Sequence, residues 1–102
     1  MTQLLVLYHK PADAAAFDRY YFEKHVPIAQ KIPGLRSYVV NAGAPSLVAG
    51  GPLPHLVAQL EFDSMAQLQN AMSSAEGRAA TADLNNFAQA GVTVLAFDTR
   101  NV

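Results

Sequence analysis

The sequence predicts an α+β fold of the split β-α-β, ferredoxin-like type: a four-stranded antiparallel sheet with helices on one face. Three observations predict it. At 102 residues the chain has room for one core, and so for a single domain over residues 1–102. Its apolar patterning runs in the order strand, helix, strand, strand, helical pair, strand. The first, second and last strands are apolar on both faces, whereas the helices suffice to cover only one.

Leu4 to Tyr8 is a run of strand formers closed by Lys10-Pro11, so the first strand is expected near residues 3–9. Asp13 is placed to cap a helix opening on Ala14-Ala15-Ala16. Along that helix Phe17, Tyr21, His25 and Ile28 follow at spacings of four, four and three, which puts them on one face. Pro27 has no amide hydrogen for the ladder and disfavours a helical Val26, so the helix is expected to end or kink there. His25 is thereby expected at a helix end. Pro33-Gly34 is turn chemistry, and Leu35 to Asn41 reads as a second strand with Arg36, Tyr38 and Val40 on one face. Ala42 to Pro54, rich in Gly, Ala, Pro and Ser, is a loop of the length that is usually functional or mobile.

The third strand, His55 to Asp63, alternates cleanly, with Leu56, Ala58, Leu60 and Phe62 pointing to the core. Ser64-Met65-Ala66-Gln67 fits a capping box, followed by a Met65, Leu68, Met72 stripe. Ser73-Ser74-Ala75-Glu76 repeats the start signal for a second helical piece, which runs to about Ala88 or Ala90 and is stopped by Gly91. Ala80, Leu84, Phe87 and Ala88 form its core side. Val92 to Phe97 is the last strand.

Hydrophobic residues make up 51% and charged residues 15%, against an average charged share of about 25%. Such a chain folds, and part of its surface is expected to be covered by a partner. Packing two sheets face to face in a homodimer buries the second apolar face of the strands. Seven Lys+Arg against eight Asp+Glu leave a net charge of -1, so no field gathers nucleic acid or anionic lipid, and neither is expected as a partner. Without cysteine there are no disulfides, thiolate nucleophiles, iron–sulfur clusters or thiolate zinc sites. The apolar run in Met1 to Lys10 is only Leu4 to Leu7 and has no basic lead-in, so neither a signal peptide nor a membrane span is read, and a cytoplasmic location is expected.

Among residues able to carry chemistry, His25 leads. A histidine at the end of an aromatic helix face can act as general acid or base near neutral pH, or simply donate to a free carbonyl. Tyr21, one turn earlier, is placed to hydrogen-bond a phenolic or carbonyl ligand beside the imidazole, or to pack in the core. Tyr8, Arg36 and Tyr38 are expected to project from the sheet toward the helices, with Arg36 either holding an anionic oxygen or lying exposed at the edge. His55, Glu61 and Asp63 share a strand face, yet positions 55 and 61 stand about 20 Å apart at roughly 3.3 Å per residue. No metal is expected there, and these groups read as interface or solvated polar side chains. Gly50-Gly51 lacks a following Lys-Ser/Thr, and no Gly-x-Ser-x-Gly elbow occurs, so phosphate-loop and serine-nucleophile chemistry have no support.

Tyr8-His9-Lys10-Pro11, the stretch Phe17-Asp18-Arg19-Tyr20-Tyr21-Phe22-Glu23-Lys24-His25-Val26-Pro27, and Lys31-Ile32-Pro33-Gly34-Leu35 together resemble the EthD family of small dimeric α+β barrel proteins. Glu61-Phe62-Asp63-Ser64, Ser74-Ala75-Glu76-Gly77 and Asp83-Leu84-Asn85-Asn86-Phe87 extend the resemblance over nearly the whole chain, with a departure at Ala75, where the family more often has Pro. The resemblance implies a barrel built across a homodimer and a pocket between sheet and helices in each subunit. Related barrels include cofactor-independent monooxygenases, muconolactone-type isomerases and polyketide cyclases. The expectation is thus a small enzyme that needs neither metal nor organic cofactor and acts on an apolar or aromatic molecule. In it His25 moves a proton, Tyr21 assists, and Tyr8, Phe17, Arg36, Tyr38 and Phe87 contact the substrate. The alternative is a non-catalytic binding or carrier module for a hydrophobic metabolite. A purely structural dimer would instead show a collapsed space around His25.

Overall fold

In the computed structural model, which describes all 102 residues, β1 (Thr2–Tyr8) leads into α1 (Ala14–Tyr20), a π-helical turn (Tyr21–His25) and α2 (Val26–Ala29). Strands β2 (Ser37–Val40) and β3 (Leu56–Phe62), helices α3 (Met65–Ser73) and α4 (Ala75–Phe87), and β4 (Val92–Asp98) complete the chain. The four strands form one antiparallel sheet in the order β2-β3-β1-β4, the α+β ferredoxin-like arrangement. The central strand β1 sets Leu4 opposite Leu60 of β3 and Ala96 of β4.

Strand alternation divides the sheet into two faces. Thr2, Leu4, Val6 and Tyr8 of β1 and Leu56, Ala58, Leu60 and Phe62 of β3 are buried beneath the helices. By the same parity Leu5, Leu7, Val39, Val57, Leu95 and Phe97 lie on the face that no helix covers. Leu5 stands opposite Leu95 in the register, and Leu95 and Phe97 are 45% and 42% exposed. The expectation that one face stays greasy and open is met by named residues. No helix is long and apolar enough to cross a membrane.

Of the two outcomes expected at Pro27, an end or a kink, the helical run after β1 does not show the end. It does not stop there but continues to Ala29, and the disturbance takes the form of a π turn just before the proline, closed by the Val26 amide donating to the Tyr21 carbonyl. Widening the ladder opens room where the proline ring would otherwise meet a carbonyl one turn back. The widening also corrects the face. At about 100° per residue, positions four apart drift by roughly 40° per step on an α-helix, whereas the π turn winds back. The buried positions are therefore Phe17, Tyr21, His25 and Ala29, with Ala29 replacing the expected Ile28. His25 consequently sits inside a continuous helical run, not at a helix end.

The two later helices start where the sequence signals them. The Ser64 hydroxyl accepts from the Gln67 amide at 3.1 Å, and that of Ser74 from the Gly77 amide at 3.0 Å. Helix α4 ends at Phe87, one to three residues short of the expected Ala88 or Ala90. Strand β2 starts at Ser37, later than expected, although the Arg36 amide still donates to the Glu61 carbonyl at 2.8 Å.

Candidate active site

Between the helices and the covered sheet face lies a cavity of about 110 Å3. It is bounded by Tyr8 from β1, Tyr21 and His25 from the π turn, Tyr38 from β2 and Leu84 from α4, and reaches the β4 edge at Val94. The space around His25 is thus not collapsed. Wider surface grooves of about 570 Å3 beside the start of α1 and about 700 Å3 beneath the 42–54 loop hold neither this imidazole nor the Tyr21 and Tyr38 hydroxyls.

His25 is buried, and its Nδ1 lies 2.9 Å from Oδ2 of Asp83 on α4. The other carboxylate oxygen, Oδ1, accepts from the Tyr20 hydroxyl at 2.7 Å and from the Asn86 amide at 2.9 Å. Burial works to raise the Asp83 carboxyl, but the hydrogen bonds from Asn86, Tyr20 and His25 outweigh it and hold the group below the usual carboxylate range. An ionised Asp83 only accepts, so Nδ1 of His25 carries the hydrogen. Burial lowers the imidazole below its ordinary value, opposed only in part by the hydrogen bond to Asp83 and its charge. The ring is neutral at pH 7, and its Nε2 keeps a lone pair. Nε2 has no protein partner, and no fully buried side-chain nitrogen or oxygen lacks one, so Nε2 opens on the cavity.

The Tyr21 and Tyr38 hydroxyls, from residues lining the same cavity, lie 2.6 Å apart, and the Tyr21 ring centre is 5.3 Å from that of His25. Burial, with the neighbouring Tyr38 adding to it, pushes Tyr21 well above an ordinary phenol; burial also raises Tyr38 and, most strongly among its causes, Tyr8. All three are neutral donors at neutral pH. The pair shares one hydrogen, which leaves another hydroxyl hydrogen for a ligand oxygen. A lone-pair base and a phenolic donor lining one cavity are groups able to remove a proton and to hold the oxygen that takes up the resulting charge.

Of the residues singled out in the sequence, the cavity brings together Tyr8, Tyr21, His25 and Tyr38. Phe17 and Phe87 stand one layer behind it in the aromatic core, Phe87 4.7 Å from the imidazole between ring centres, and both border the groove beside α1. Arg36 does not reach the cavity: its exposed guanidinium forms a two-pronged pair with Asp63 at 3.0 and 2.7 Å. His55, Glu61 and Asp63 take separate partners, namely Asp18, Gln3 and Arg36. No three His, Asp or Glu side chains are gathered so as to hold a metal ion. Sequence reasoning missed Asp83, with its supports Tyr20 and Asn86. The signal was present, because Asp83 lies three residues after Ala80 and four before Phe87, which places a carboxylate on the apolar side of α4.

The EthD domain profile matches residues 9–91. An uncharacterized 11.0 kDa protein from the thcB–thcC intergenic region of Rhodococcus erythropolis is 41% identical over 102 residues, spanning 100% of this chain and 98% of that one. The crystal structure of an EthD (ethyl tert-butyl ether d) family protein from Bacillus halodurans is similar at TM-score 0.87 and 35% identity, over 98% of this chain and 99% of that one. A dimeric ferredoxin-like protein of unknown function from Thermobifida fusca shares the fold at TM-score 0.68 and 15% identity, over 96% and 90% of the two chains. SnoaB, a cofactor-independent oxygenase from Streptomyces nogalater, shares it at TM-score 0.66 and 12% identity, over 99% and 94%.

Proposed function

This chain belongs to the EthD family, and on that premise we propose that it is a homodimeric, cytoplasmic, single-domain enzyme that performs proton transfer on a small apolar or aromatic molecule with His25 as the acid–base group and without metal or organic cofactor. The observation that carries this reading is the Asp83–His25 pair, whose free Nε2 opens on a cavity that also holds the Tyr21 and Tyr38 hydroxyls.

Asp83 fixes the imidazole tautomer and orientation and stabilises the imidazolium formed when Nε2 takes a substrate proton. The electron pair left on the substrate moves onto its oxygen, where a tyrosine hydroxyl donates to it. Returning the proton at a different atom isomerises the substrate, and attack of the same anion on an internal carbonyl closes a ring. With dioxygen as oxidant, the anion can instead be oxygenated, the class of reaction named for SnoaB. His25 and Tyr21 are thus the catalytic pair, and Tyr8 and Tyr38 contact the substrate. Phe17 and Phe87 support them from behind, and Arg36 takes no part.

Cyclohexanone is neutral, single-ringed and slow to exchange its α-hydrogens. In D2O the wild-type protein is expected to accelerate that exchange, followed by proton NMR, by about a hundredfold or more over His25→Ala. Equal rates in the two proteins, with the ketone bound by both, would leave a binding module in place of an enzyme.

A further inference from the structure

We propose that the cavity selects one chemical class: neutral, single-ring molecules carrying one phenolic hydroxyl or enolisable carbonyl, to the exclusion of carboxylates and fused rings. The inference rests on the proposed site and names what that site takes.

Size sets the first limit. The cavity measures about 110 Å3, below the roughly 150 Å3 of an engineered apolar cavity in another protein that holds benzene, and far below the roughly 300 Å3 at which drug-sized pockets begin. One ring fits with little to spare. A second fused ring meets Leu84 and Met72 on the helical side or Leu4 and Leu60 on the sheet, all of them packed.

Charge sets the second limit. No lysine or arginine lines the cavity, and the one formal charge nearby, on Asp83, is negative and stands directly behind the imidazole. A carboxylate entering here would lose its water without gaining a cation, which is the costly form of burial. A neutral molecule incurs no such penalty.

The polar inventory sets the third. Among the lining polar groups, Thr81 already donates its hydroxyl hydrogen to the Gly77 carbonyl at 3.0 Å. What remains is one basic acceptor, Nε2 of His25, and one hydroxyl hydrogen from the chain of three phenols, in which Tyr8 is hydrogen-bonded to Tyr21 and Tyr21 to Tyr38. One acceptor and one donor match a ligand with a single oxygen. A phenol gives its hydrogen to Nε2 and accepts from a tyrosine, while its ring lies among Val6, Ala29, Ala58 and Ala80. Entry is from the β4 edge, where Val94 lines the cavity while 47% exposed.

Isothermal titration of the wild-type protein with phenol, benzoate and 1-naphthol tests this directly. Phenol is expected to bind once per chain, and benzoate and 1-naphthol at least tenfold more weakly. His25→Gln is expected to weaken phenol about tenfold while leaving benzene unchanged, and Leu84→Ala to narrow the gap between 1-naphthol and phenol. Benzoate or 1-naphthol binding as tightly as phenol, or no phenol binding by the folded wild-type protein, overturns the inference. Phenol binding with the expected discrimination, but without His25-dependent exchange of cyclohexanone, upholds it and instead removes the catalytic reading.

Discussion

Asp83 receives hydrogen bonds from Tyr20, Asn86 and His25 while almost wholly buried, so its carboxylate has exchanged water for three protein donors. Replacing it by asparagine keeps the shape but removes the charge that supports the imidazolium and fixes the tautomer. In Asp83→Asn, burial acts on His25 with less opposition, so the acid limb of the pH profile for cyclohexanone exchange is expected to move to lower pH, and the plateau rate to fall by roughly tenfold or more. Stability follows the same groups. The folded-state value of His25 lies below its ordinary 6.5, so the fold holds the neutral ring: the contribution is complete above pH 6.5 and is lost as pH falls through the folded-state value. The Asp83 carboxyl, also lowered, is fully favourable above its ordinary 3.8 and is lost on further acidification. Urea midpoints are expected to be flat from pH 8 to about 6.5 and to decline below. His25→Gln is expected to flatten the upper part of that decline, and a midpoint that rises on acidification in the wild type would contradict the sign. None of this was readable from position 83 alone, because an acidic residue in a helix is ordinarily solvated. Its partner is 58 residues away, and only the fold brings the two together.

At the scale of elements, the sequence was legible wherever one local rule decided the outcome. The alternation of Leu56, Ala58, Leu60 and Phe62 specified β3 and its buried face. The hydroxyls of Ser64 and Ser74 specified two helix starts, because each satisfies an amide that the helix itself leaves free. The π turn was not legible. Spacings of four are compatible with an α-helix over one step, and only their repetition from Phe17 to Ala29 requires the ladder to widen. The corner between α3 and α4 depends on a close approach that has no pattern signature: a Cβ at Gly77 would stand 2.1 Å from the Ala71 carbonyl oxygen and 2.6 Å from the Met72 backbone. Backbone cannot yield as a side-chain tip does, so Gly77→Ala is expected to cost about 3 kcal/mol in chemical denaturation. Gly43→Ala, where a Cβ meets nothing within 4 Å, is expected to change stability by less than about 0.5 kcal/mol. Equal effects at the two positions would show that the corner relaxes.

For the whole molecule, the sheet divides its tasks between faces. The face under the helices holds the cavity at His25, while the other presents Leu5, Leu7, Val39, Val57, Leu95 and Phe97 with no element of the chain above them. Gln59 and the Gln3–Glu61 pair share that face, but this many uncovered apolar side chains are unusual on a solitary small protein, and a two-fold axis through the face would let the same residues cover one another. The sequence announced this through strands apolar on both faces. It did not announce which positions stand side by side, because that depends on the register pairing Leu5 of β1 with Leu95 of the edge strand β4. The pairing makes Leu95 the position to test. In Leu95→Glu each copy brings a carboxylate into the buried apolar surface, so two like charges are desolvated for every dimer formed. At micromolar concentration the wild type is expected to sediment at twice the 10.9 kDa chain mass, and Leu95→Glu at the mass of one chain. The variant's circular dichroism is expected to be unchanged, since residue 95 contributes nothing to the helix-covered core. Wild-type sedimentation at 10.9 kDa would remove the partner altogether. A Leu95→Glu dimer as tight as the wild type would move the interface off this face and onto the groove side of the molecule.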